Sequence, residues 1–494
     1  MGWLQGSNSE RSEKGGLRAR VRVDTLSASP MAMKVYLQSL GCPKNLVDSE
    51  TMLGLVARDG GEIVLDPAAA DVVVVNTCGF IGDAKKESIE AILELGRLKE
   101  ADPTKRLIVT GCLVQRYGAE LQDSLPEVDA FLGTGDFDRL PQLLNKGGTG
   151  DATIYGGAAH LLPDLAIPRV RTGHFFSAYL KISEGCDHTC SFCIIPKIRG
   201  RHESRALDSV VAEASALVRD GVIELNLIGQ DLTAYGRERR DGSSLAALLR
   251  ELARIDGLRW IRLLYNYPRY VTDELLDTIA QEEKVCSYID MPLQHISDRM
   301  LRAMRRERDG AAVRRLIDRM RQRVPGVAIR TSFIVGFPGE SDADFAELLT
   351  FVKEAHFERV GVFCYSREEG TAAASLPGQL PERVKRHRFG LLMRAQANVA
   401  AAFNRRLVGS TQEVLVCGED DQGRCYGRLF SQAPEIDGVV FLREQSPPGR
   451  IELTRITESG TYDLMGSLLS HGTVEDARSL PDVALKSDQR GAGL

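Results

Sequence analysis

The stretch SAYLKISEGCDHTCSFC, residues 177–193, decides the fold of the central part of the chain. Its first residues, SAYLKI, form the short apolar run of a buried β-strand. Three cysteines with Cys-x3-Cys-x2-Cys spacing follow, Cys186, Cys190 and Cys193. A saturated 4Fe-4S cluster takes four cysteines, so three thiolates leave one iron open to a substrate. A zinc site closed by His188 or His202 is the alternative.

The strand before these cysteines is the first of six in a β/α series. The apolar runs VIELNLIG, LRWIRLLY, VCSYIDM, VAIRTSFIVG and RVGVFCYS follow it. Helical periodicity separates them over residues 207–220, 244–256, 272–282, 311–322 and 342–355. Six such units predict an α/β fold with an open, partial (β/α)6 barrel. An amphipathic helix over residues 381–406 ends this domain.

Three apolar runs upstream, KVYLQSL, DVVVVNT and RLIVTG, each precede a cysteine and a helix-like stretch. They predict a parallel α/β domain of three or more strands. The carboxyl ends of parallel strands share one edge, so the thiols of Cys42, Cys78 and Cys112 are expected to converge there. Their separations of 36 and 34 residues match no short metal motif, and burial as small apolar side chains is the alternative.

The last region, residues 408–466, has short apolar runs separated by Gly, Asp and Pro, which predict a small OB-like β-barrel. It contains ten acidic residues and five arginines without any lysine, a net charge of -5. A barrel that binds phosphates needs the opposite charge. The acidic surface therefore indicates a basic partner, although acidic residues also keep small domains soluble.

The composition limits the classes of protein to which this chain can belong. The chain has 494 residues, 43% hydrophobic and 27% charged, and no apolar run approaches the roughly 20 residues of a membrane span. Ten cysteines without a secretion signal indicate a reducing compartment, and we expect the cytoplasm. A net charge of -5 argues against a protein that coats nucleic acid. The predicted domains are residues 33–148, 172–404 and 407–473, between a disordered leader at 1–32 and a disordered tail at 474–494.

The cysteine triplet at residues 186–193 resembles the radical S-adenosylmethionine (SAM) superfamily. The resemblance implies that this triplet holds a 4Fe-4S cluster whose open iron binds SAM, and that reductive cleavage of SAM yields a radical. It also implies SAM contacts from Phe192, Gln230, Ser332 and Gly336, the last in the turn IVGFPGE. Loop packing and turn formation are the alternative roles for these four residues. No catalytic residue is assigned outside the clusters.

The order of the three domains over residues 33–466 resembles the methylthiotransferase family, whose last domain is a TRAM-type barrel. The resemblance implies that Cys42, Cys78 and Cys112 hold a second 4Fe-4S cluster. It also implies two molecules of SAM, of which one donates a methyl group to cluster-bound sulfur. The other yields the radical that removes a hydrogen from the target.

Local motifs bear on the substrate. The sequences LGCPKNLVDSE around Cys42, APEIDG at residues 433–438 and YDLMG at 462–466 resemble the branch of the family that modifies an aspartate of ribosomal protein S12. Relatives that act on transfer RNA typically carry Gln-Met-Asn after the cysteine. The resemblance implies S12 as partner, with Glu435 and Asp437 as substrate contacts, together with an electron donor and a sulfur donor. No direct transfer RNA substrate is expected.

Two other functions stay open at this point, a transfer RNA adenosine methylthiotransferase and an iron-sulfur scaffold or electron carrier. Residues 299–323 hold ten arginines against three acids, which suits a contact with ribosomal RNA but is more typical of a solvated helix face. The remaining cysteines lie in apolar runs and are assigned to packing, namely Cys286, Cys364, Cys417 and Cys425.

Overall fold

The N-terminal sheet is centred on Val72–Thr77 (β3), every residue of which is buried. Such a continuous apolar run is typical of a parallel strand covered by helices on both faces. A computed structural model describes residues 33–145, 153–156, 168–306 and 309–469 of the chain. The predicted leader and tail lie outside those residues.

Six parallel strands form this sheet in the order β2-β1-β3-β4-β5-β6. The other strands are β1 (Lys34–Ser39), β2 (Glu62–Ile63), β4 (Arg106–Gly111), β5 (Ala130–Leu132) and β6 (Thr153–Tyr155). Its helices are α1 (Pro43–Arg58), α2 (Gly82–Ala101), α3 (Cys112–Ser124) and α4 (Leu140–Asn145). Successive valines of β3 point to opposite faces. Val73 and Val75 pack with α2 and α3, whereas Val72 and Val74 pack with α1 and α4.

The second sheet also has six parallel strands, and their order follows the sequence from one edge to the other. The strands are β7 (Ser177–Lys181), β10 (Glu224–Ile228), β11 (Trp260–Leu263), β12 (Val285–Asp290), β13 (Ala328–Val335) and β14 (Arg359–Cys364). Because β7 and β14 are the two edges, the sheet is the predicted open, partial barrel. A short antiparallel pair, β8 (Ser183–Glu184) and β9 (Glu203–Ser204), lies beside the cysteine loop.

Helices alternate with the strands of this sheet and bury one large apolar core against it. They are α5 (Ile195–Arg199), α6 (Leu207–Arg219), α7 (Leu245–Ala253), α8 (Asp273–Gln281), α9 (Asp298–Ala303), α10 (Gly310–Arg323), α11 (Asp342–Glu354) and α12 (Glu382–Leu407). Local sequence sets their starts. Ser341 and Asp344, for example, form a capping box at the start of α11. The six predicted helices of this domain are all present, with ends within three residues of the prediction.

The described residues up to Ala402 form one compact unit and those from Phe403 form a second. The second contains a closed five-stranded barrel, β15 (Thr411–Glu419), β16 (Cys425–Arg428), β17 (Val440–Leu442), β18 (Ile451–Ser459) and β19 (Leu464–Leu468). Val414, Val416, Val440 and Ile456 fill its interior. The predicted small barrel is confirmed. Among the helices described, none has the length and apolarity that crossing a membrane requires.

Candidate functional site

The three cysteines of the first domain lie at the carboxyl ends of three neighbouring strands. Cys42 caps the start of α1 after β1, Cys78 follows β3, and Cys112 is the first residue of α3 after β4. These strands are adjacent and parallel, in the order β1-β3-β4. The three cysteines therefore lie at one edge of the sheet, where the sequence analysis expects them.

Two glycines let the loops of this edge approach each other. Gly41 has a φ of 89°, and a Cβ on it would lie 2.7 Å from Cys78 Cβ. Gly111 has a φ of 99°, and a Cβ there would lie 2.3 Å from Asn76 Oδ1. Both the left-handed backbone and the close approach exclude a side chain. These glycines therefore allow Cys42 and Cys112 to flank Cys78.

Electrostatics also place the three thiols together. Burial, followed by the negative charges of Cys112 and Cys42, raises the pKa of Cys78 to about 12. Burial likewise raises the pKa of Cys112, with Cys42 adding to the effect and Arg199 opposing it. Thiolates are the metal-binding form, so cationic iron would have to offset this burial and mutual repulsion. Sulfur donors of this kind suit an iron-sulfur cluster.

The second triplet lies in the loop between β8 and α5. Cys193 N donates to Cys190 O at 3.1 Å, and Cys186 N donates to Gly200 O at 3.1 Å, which folds the loop back on itself. Burial, followed by the charges of Cys190 and Cys186, raises the pKa of Cys193 to about 12. The three thiols are thus partly buried within one short loop, and thiols are the ligands that an iron-sulfur cluster needs.

Each histidine of the zinc alternative uses its Nε2 atom within the fold. His188 Nε2 lies 2.7 Å from Asp231 Oδ2, and its ring stacks on Tyr267 at 3.6 Å between centroids. His202 Nε2 lies 3.1 Å from Ser204 Oγ. Within the described parts of the chain, no three His, Cys, Asp or Glu side chains surround the position of a single metal ion.

Arg306 is the cation beside the second triplet. Its Nη1 donates to Cys190 Sγ at 3.6 Å and its Nη2 to Pro292 O at 2.7 Å, while the guanidinium lies 4.1 Å from the Tyr267 ring centroid. Arg306 belongs to the arginine-rich segment predicted to be a solvated helix face. That prediction is wrong for Arg306, because the residue follows α9 and turns towards the cysteine loop. Arg323, on α10, fits the prediction better, since it forms a half-exposed ion pair with Asp273.

Two of the predicted SAM contacts lie together. Phe192, between the last two cysteines, packs against an apolar cluster that includes Phe337, the residue after Gly336. Gly336 has a φ of 75°, and a Cβ there would lie 2.3 Å from Lys385 Cγ. The backbone at Gly336 is thus packed closely against the aliphatic part of the Lys385 side chain on α12.

The other two predicted SAM contacts lie at the same end of the second sheet. Gln230 follows β10, and its Nε2 donates to Glu184 Oε1, whereas its Oε1 is buried without a hydrogen-bond partner. Ser332 is a buried residue of β13, and its backbone O accepts from Gln294 N at 2.8 Å. Gln230 therefore presents a free acceptor two residues after the end of a strand.

A buried group of charges joins the two cysteine regions. Arg199 Nη1 lies 2.7 Å from Asp48 Oδ2 and 3.3 Å from Glu184 Oε2, and Lys181 Nζ contacts the same two carboxylates. Arg199 Nη2 also lies 3.3 Å from Cys112 Sγ. The two cations balance the two anions, as a buried group requires. Because Glu184 precedes the second triplet and Asp48 is on α1, this group fixes one cysteine region against the other.

Glu368, after β14, makes a second link between the sheets. Its carboxylate accepts hydrogen bonds from Gly82 N at 2.8 Å, Lys85 Nζ at 2.9 Å and Arg116 Nη1 at 2.9 Å. Burial opposes ionisation, but the bonds from Lys85, Ser366 and Arg116 lower the pKa of Glu368 overall. The starts of α2 and α3, next to Cys78 and Cys112, are thereby tied to the second sheet.

The two residues predicted to contact substrate lie in the barrel. Glu435 is exposed in the loop before β17 and has a φ of 68°. Asp437 Oδ2 accepts from Ala433 N at 2.9 Å and so helps to shape that loop. Of the cysteines assigned to packing, Cys286, Cys417 and Cys425 are buried and Cys364 is half-buried.

Sequence reasoning missed the charged residues that surround the two cysteine regions. Arg199 and Lys181 pair with Asp48 across more than 130 residues of sequence, so no local pattern marks them. Glu368 and Arg306 are likewise distant in sequence from the groups they contact. A lysine within the apolar run SAYLKI was the one available signal.

Family models match three separate parts of the chain. Residues 34–133 match a model described as the uncharacterized protein family UPF0004, residues 180–352 match the radical SAM superfamily, and residues 408–469 match the TRAM domain. The first range contains β1 to β5, the second contains β8 to β13, and the third contains the whole barrel.

Curated relatives match almost their whole length. A protein of Syntrophotalea carbinolica, named ribosomal protein uS12 methylthiotransferase RimO, is 52% identical over 88% of this chain and 97% of its own. Proteins of the same name from Geobacter sulfurreducens and Anaeromyxobacter sp. strain K are 50% and 48% identical. Those matches cover 88% and 94% of this chain and 99% of each relative.

Among solved structures, the radical S-adenosylmethionine methyltransferase TsrM of Kitasatospora setae, with cobalamin and a 4Fe-4S cluster bound, aligns with a TM-score of 0.51. The two chains are 15% identical, and the alignment covers 78% of this chain and 81% of that one. At this identity the likeness shows a shared fold.

Proposed function

Because this chain belongs to the family of ribosomal protein uS12 methylthiotransferases, we propose that it attaches a methylthio group to the β-carbon of one aspartate of ribosomal protein S12. The observation that carries the proposal is identity of 48–52% with relatives of that name over nearly their full length. Such a match includes both cysteine regions and the barrel. A protein that acts on S12 works where ribosomes are made, which fits the cytoplasm.

In this proposal Cys186, Cys190 and Cys193 hold the 4Fe-4S cluster that binds SAM, and Cys42, Cys78 and Cys112 hold a second 4Fe-4S cluster. When bound, the first cluster would supply the electron that cleaves SAM, and the second would hold the sulfur that is transferred, while the methyl group would come from a second molecule of SAM. The support is the position of Cys42, Cys78 and Cys112 at the ends of adjacent parallel strands, and that of the other three cysteines in one short, partly buried loop. An electron donor and a sulfur donor are the further partners that this chemistry needs.

The residues around the second triplet have roles in holding SAM. Phe192 and the turn at Gly336 offer an apolar surface and bent backbone for the adenine. The buried Oε1 of Gln230 is free to accept a hydrogen bond from the ammonium of the methionine part. Ser332 supplies a hydroxyl at the same end of the sheet. Arg306 stabilises the thiolate of Cys190.

The barrel contributes substrate binding. Its region from 408 to 466 has a net charge of -5, and ribosomal proteins are basic because they bind RNA. Glu435 is exposed there, and Asp437 lies two residues further along the same loop. We assign both to contacts with basic residues of S12.

The test is a competition between substrates. The anaerobically reconstituted protein is incubated with SAM, sulfide and a reductant, together with either S12 or unmodified transfer RNA. Peptide and nucleoside mass spectrometry should show a methylthio group in place of one hydrogen on an S12 aspartate, and unchanged transfer RNA. Modified transfer RNA with unmodified S12 would overturn the proposal.

The same reaction separates an enzyme from an iron-sulfur scaffold or electron carrier. An enzyme of this class releases 5′-deoxyadenosine from SAM after reduction, and a scaffold releases none. Chromatography of the reaction mixture measures this product directly. Its absence from fully reconstituted protein would favour the scaffold.

A further inference from the structure

Lys44 stands out because it is a mostly buried residue whose ammonium pairs with no carboxylate among the described residues. The side chain is only 9% exposed, yet the described residues offer it neither a hydrogen bond nor an ion pair. Its one polar contact is the face of Tyr265, whose ring centroid lies 3.3 Å from Lys44 Nζ. Burying an ammonium without a carboxylate is costly, so such a residue calls for an explanation.

Its position in the chain makes the charge less favourable still. Lys44 is in the first turn of α1, where the aligned peptide dipoles already place partial positive charge. The nearby Asp290 carboxylate is taken by others, since it accepts from Tyr265 N at 3.0 Å and from Arg330 Nη1 at 2.9 Å. Within the described parts of the chain, Lys44 is thus a cation that no carboxylate pairs with.

Lys44 also lies between the two cysteine regions. It is two residues after Cys42, and the Tyr265 phenol lies within electrostatic range of Lys44 and Cys42. On its other side, Tyr265 O accepts from Leu232 N at 3.1 Å. The residue before Leu232, Asp231, interacts electrostatically with Cys186. Tyr265 thus contacts Lys44, close to Cys42 in sequence, and Leu232, which is next to Asp231.

Tyr265 is held in place for this contact. Its φ is 67°, in the left-handed region that bulky side chains rarely adopt. Hydrogen bonds at both its N and its O maintain this conformation. Strained backbone that the fold maintains in this way is common at ligand sites.

We infer that Lys44 binds the side-chain carboxylate of the aspartate that is modified. The inference rests on the proposed function and extends it to one substrate contact. The carboxylate carbon of an aspartate is bonded directly to its β-carbon, so a cation that holds the carboxylate also positions the C–H bond that reacts. The bound carboxylate gives the buried ammonium the anion it lacks.

The test compares binding of S12 with binding of S12 in which the target aspartate is replaced by asparagine. Labelled S12 is titrated with the anaerobic holoenzyme without reductant, so that no turnover occurs, and anisotropy reports binding. The native enzyme should prefer the aspartate form by roughly 10- to 100-fold. Lys44→Met should lose this preference, and Lys44→Arg should keep part of it. Equal binding of the two forms by the native enzyme would overturn the inference without relying on any variant.

Control measurements separate other roles. Lys86→Met removes an exposed lysine of the same domain and should leave the preference unchanged. Iron content and the visible spectrum report whether Lys44→Met damages the cluster of Cys42. A Lys44→Met enzyme that keeps the preference, whatever its spectrum, refutes carboxylate binding by Lys44. Failure of the native enzyme to methylthiolate S12 would refute the proposed function instead, so the two failures are distinguishable.

Discussion

Removing Arg199 tests whether the buried charges hold the two cysteine regions together. The side chain is 3% exposed and lies between Asp48 and Glu184, with Lys181 as the second cation. Negative neighbours outweigh burial and keep the pKa of Arg199 well above its usual value, so the charge persists at any working pH. In Arg199→Met, two buried carboxylates share one ammonium.

The expected loss is large. Breaking a buried ion pair by removing one partner costs about 3–5 kcal/mol, because the remaining charge stays buried without compensation. Adding Asp48→Asn to Arg199→Met removes the excess negative charge, and the double variant should regain about 1–3 kcal/mol. A second substitution that increases stability is an unusual outcome and therefore a sharp test.

Urea unfolding of the anaerobic protein, followed by circular dichroism, measures the free energy of unfolding of each variant. Arg250→Met is the matched control, since Arg250 pairs with Glu274 at the surface and its loss should cost no more than about 1 kcal/mol. A cost for Arg199→Met as small as that of the control would refute the reasoning. So would a double variant less stable than the single one.

Three further outcomes follow from the site. Gly41→Ala should lower iron content by about half and leave SAM cleavage intact, because its Cβ would lie 2.7 Å from Cys78 Cβ. The control is Gly60→Ala, which should keep all the iron, because Gly60 also has a positive φ, of 85°, but no atom lies within 4 Å of the added Cβ. Glu368→Gln should cost about 1–3 kcal/mol at neutral pH in urea unfolding. The pKa of Glu368 is lowered in the folded state. The stabilisation that its carboxylate provides is therefore fully present above the ordinary carboxyl pKa, and it is lost as the pH falls through the pKa of Glu368 in the folded protein. Neutralising Glu435 and Asp437 should weaken S12 binding and reduce its salt dependence, and unchanged affinity would leave the acidic barrel as a solubility feature.

The parallel sheets were predictable because long apolar runs and helical periodicity are local properties. β3 and β13 have six and eight residues, enough to show a pattern. Strands such as β2 and β8, with two residues each, are too short for any period and exist only through pairing with distant strands. The six-residue helix α4 was missed for the same reason.

The six cysteines could be found from spacing, strand ends and family resemblance, whereas the groups that act on them could not. Arg199 reaches Cys112 from 87 residues away, and Arg306 reaches Cys190 from 116 residues away. Such contacts depend on how the sheets pack, which no local pattern records. Lys44 was visible within the motif GCPKN, but only its burial reveals an unpaired charge.

The Cys78→Ala variant tests whether one cysteine triplet serves SAM cleavage and the other serves sulfur transfer. The reconstituted variant is reduced with SAM, sulfide and S12 present, and 5′-deoxyadenosine and methylthiolated S12 are quantified in the same sample. We expect the Cys78→Ala variant to produce 5′-deoxyadenosine but no methylthiolated S12, and the Cys190→Ala variant to produce neither. Methylthiolated S12 from the Cys78→Ala variant, or loss of its 5′-deoxyadenosine, would contradict the account.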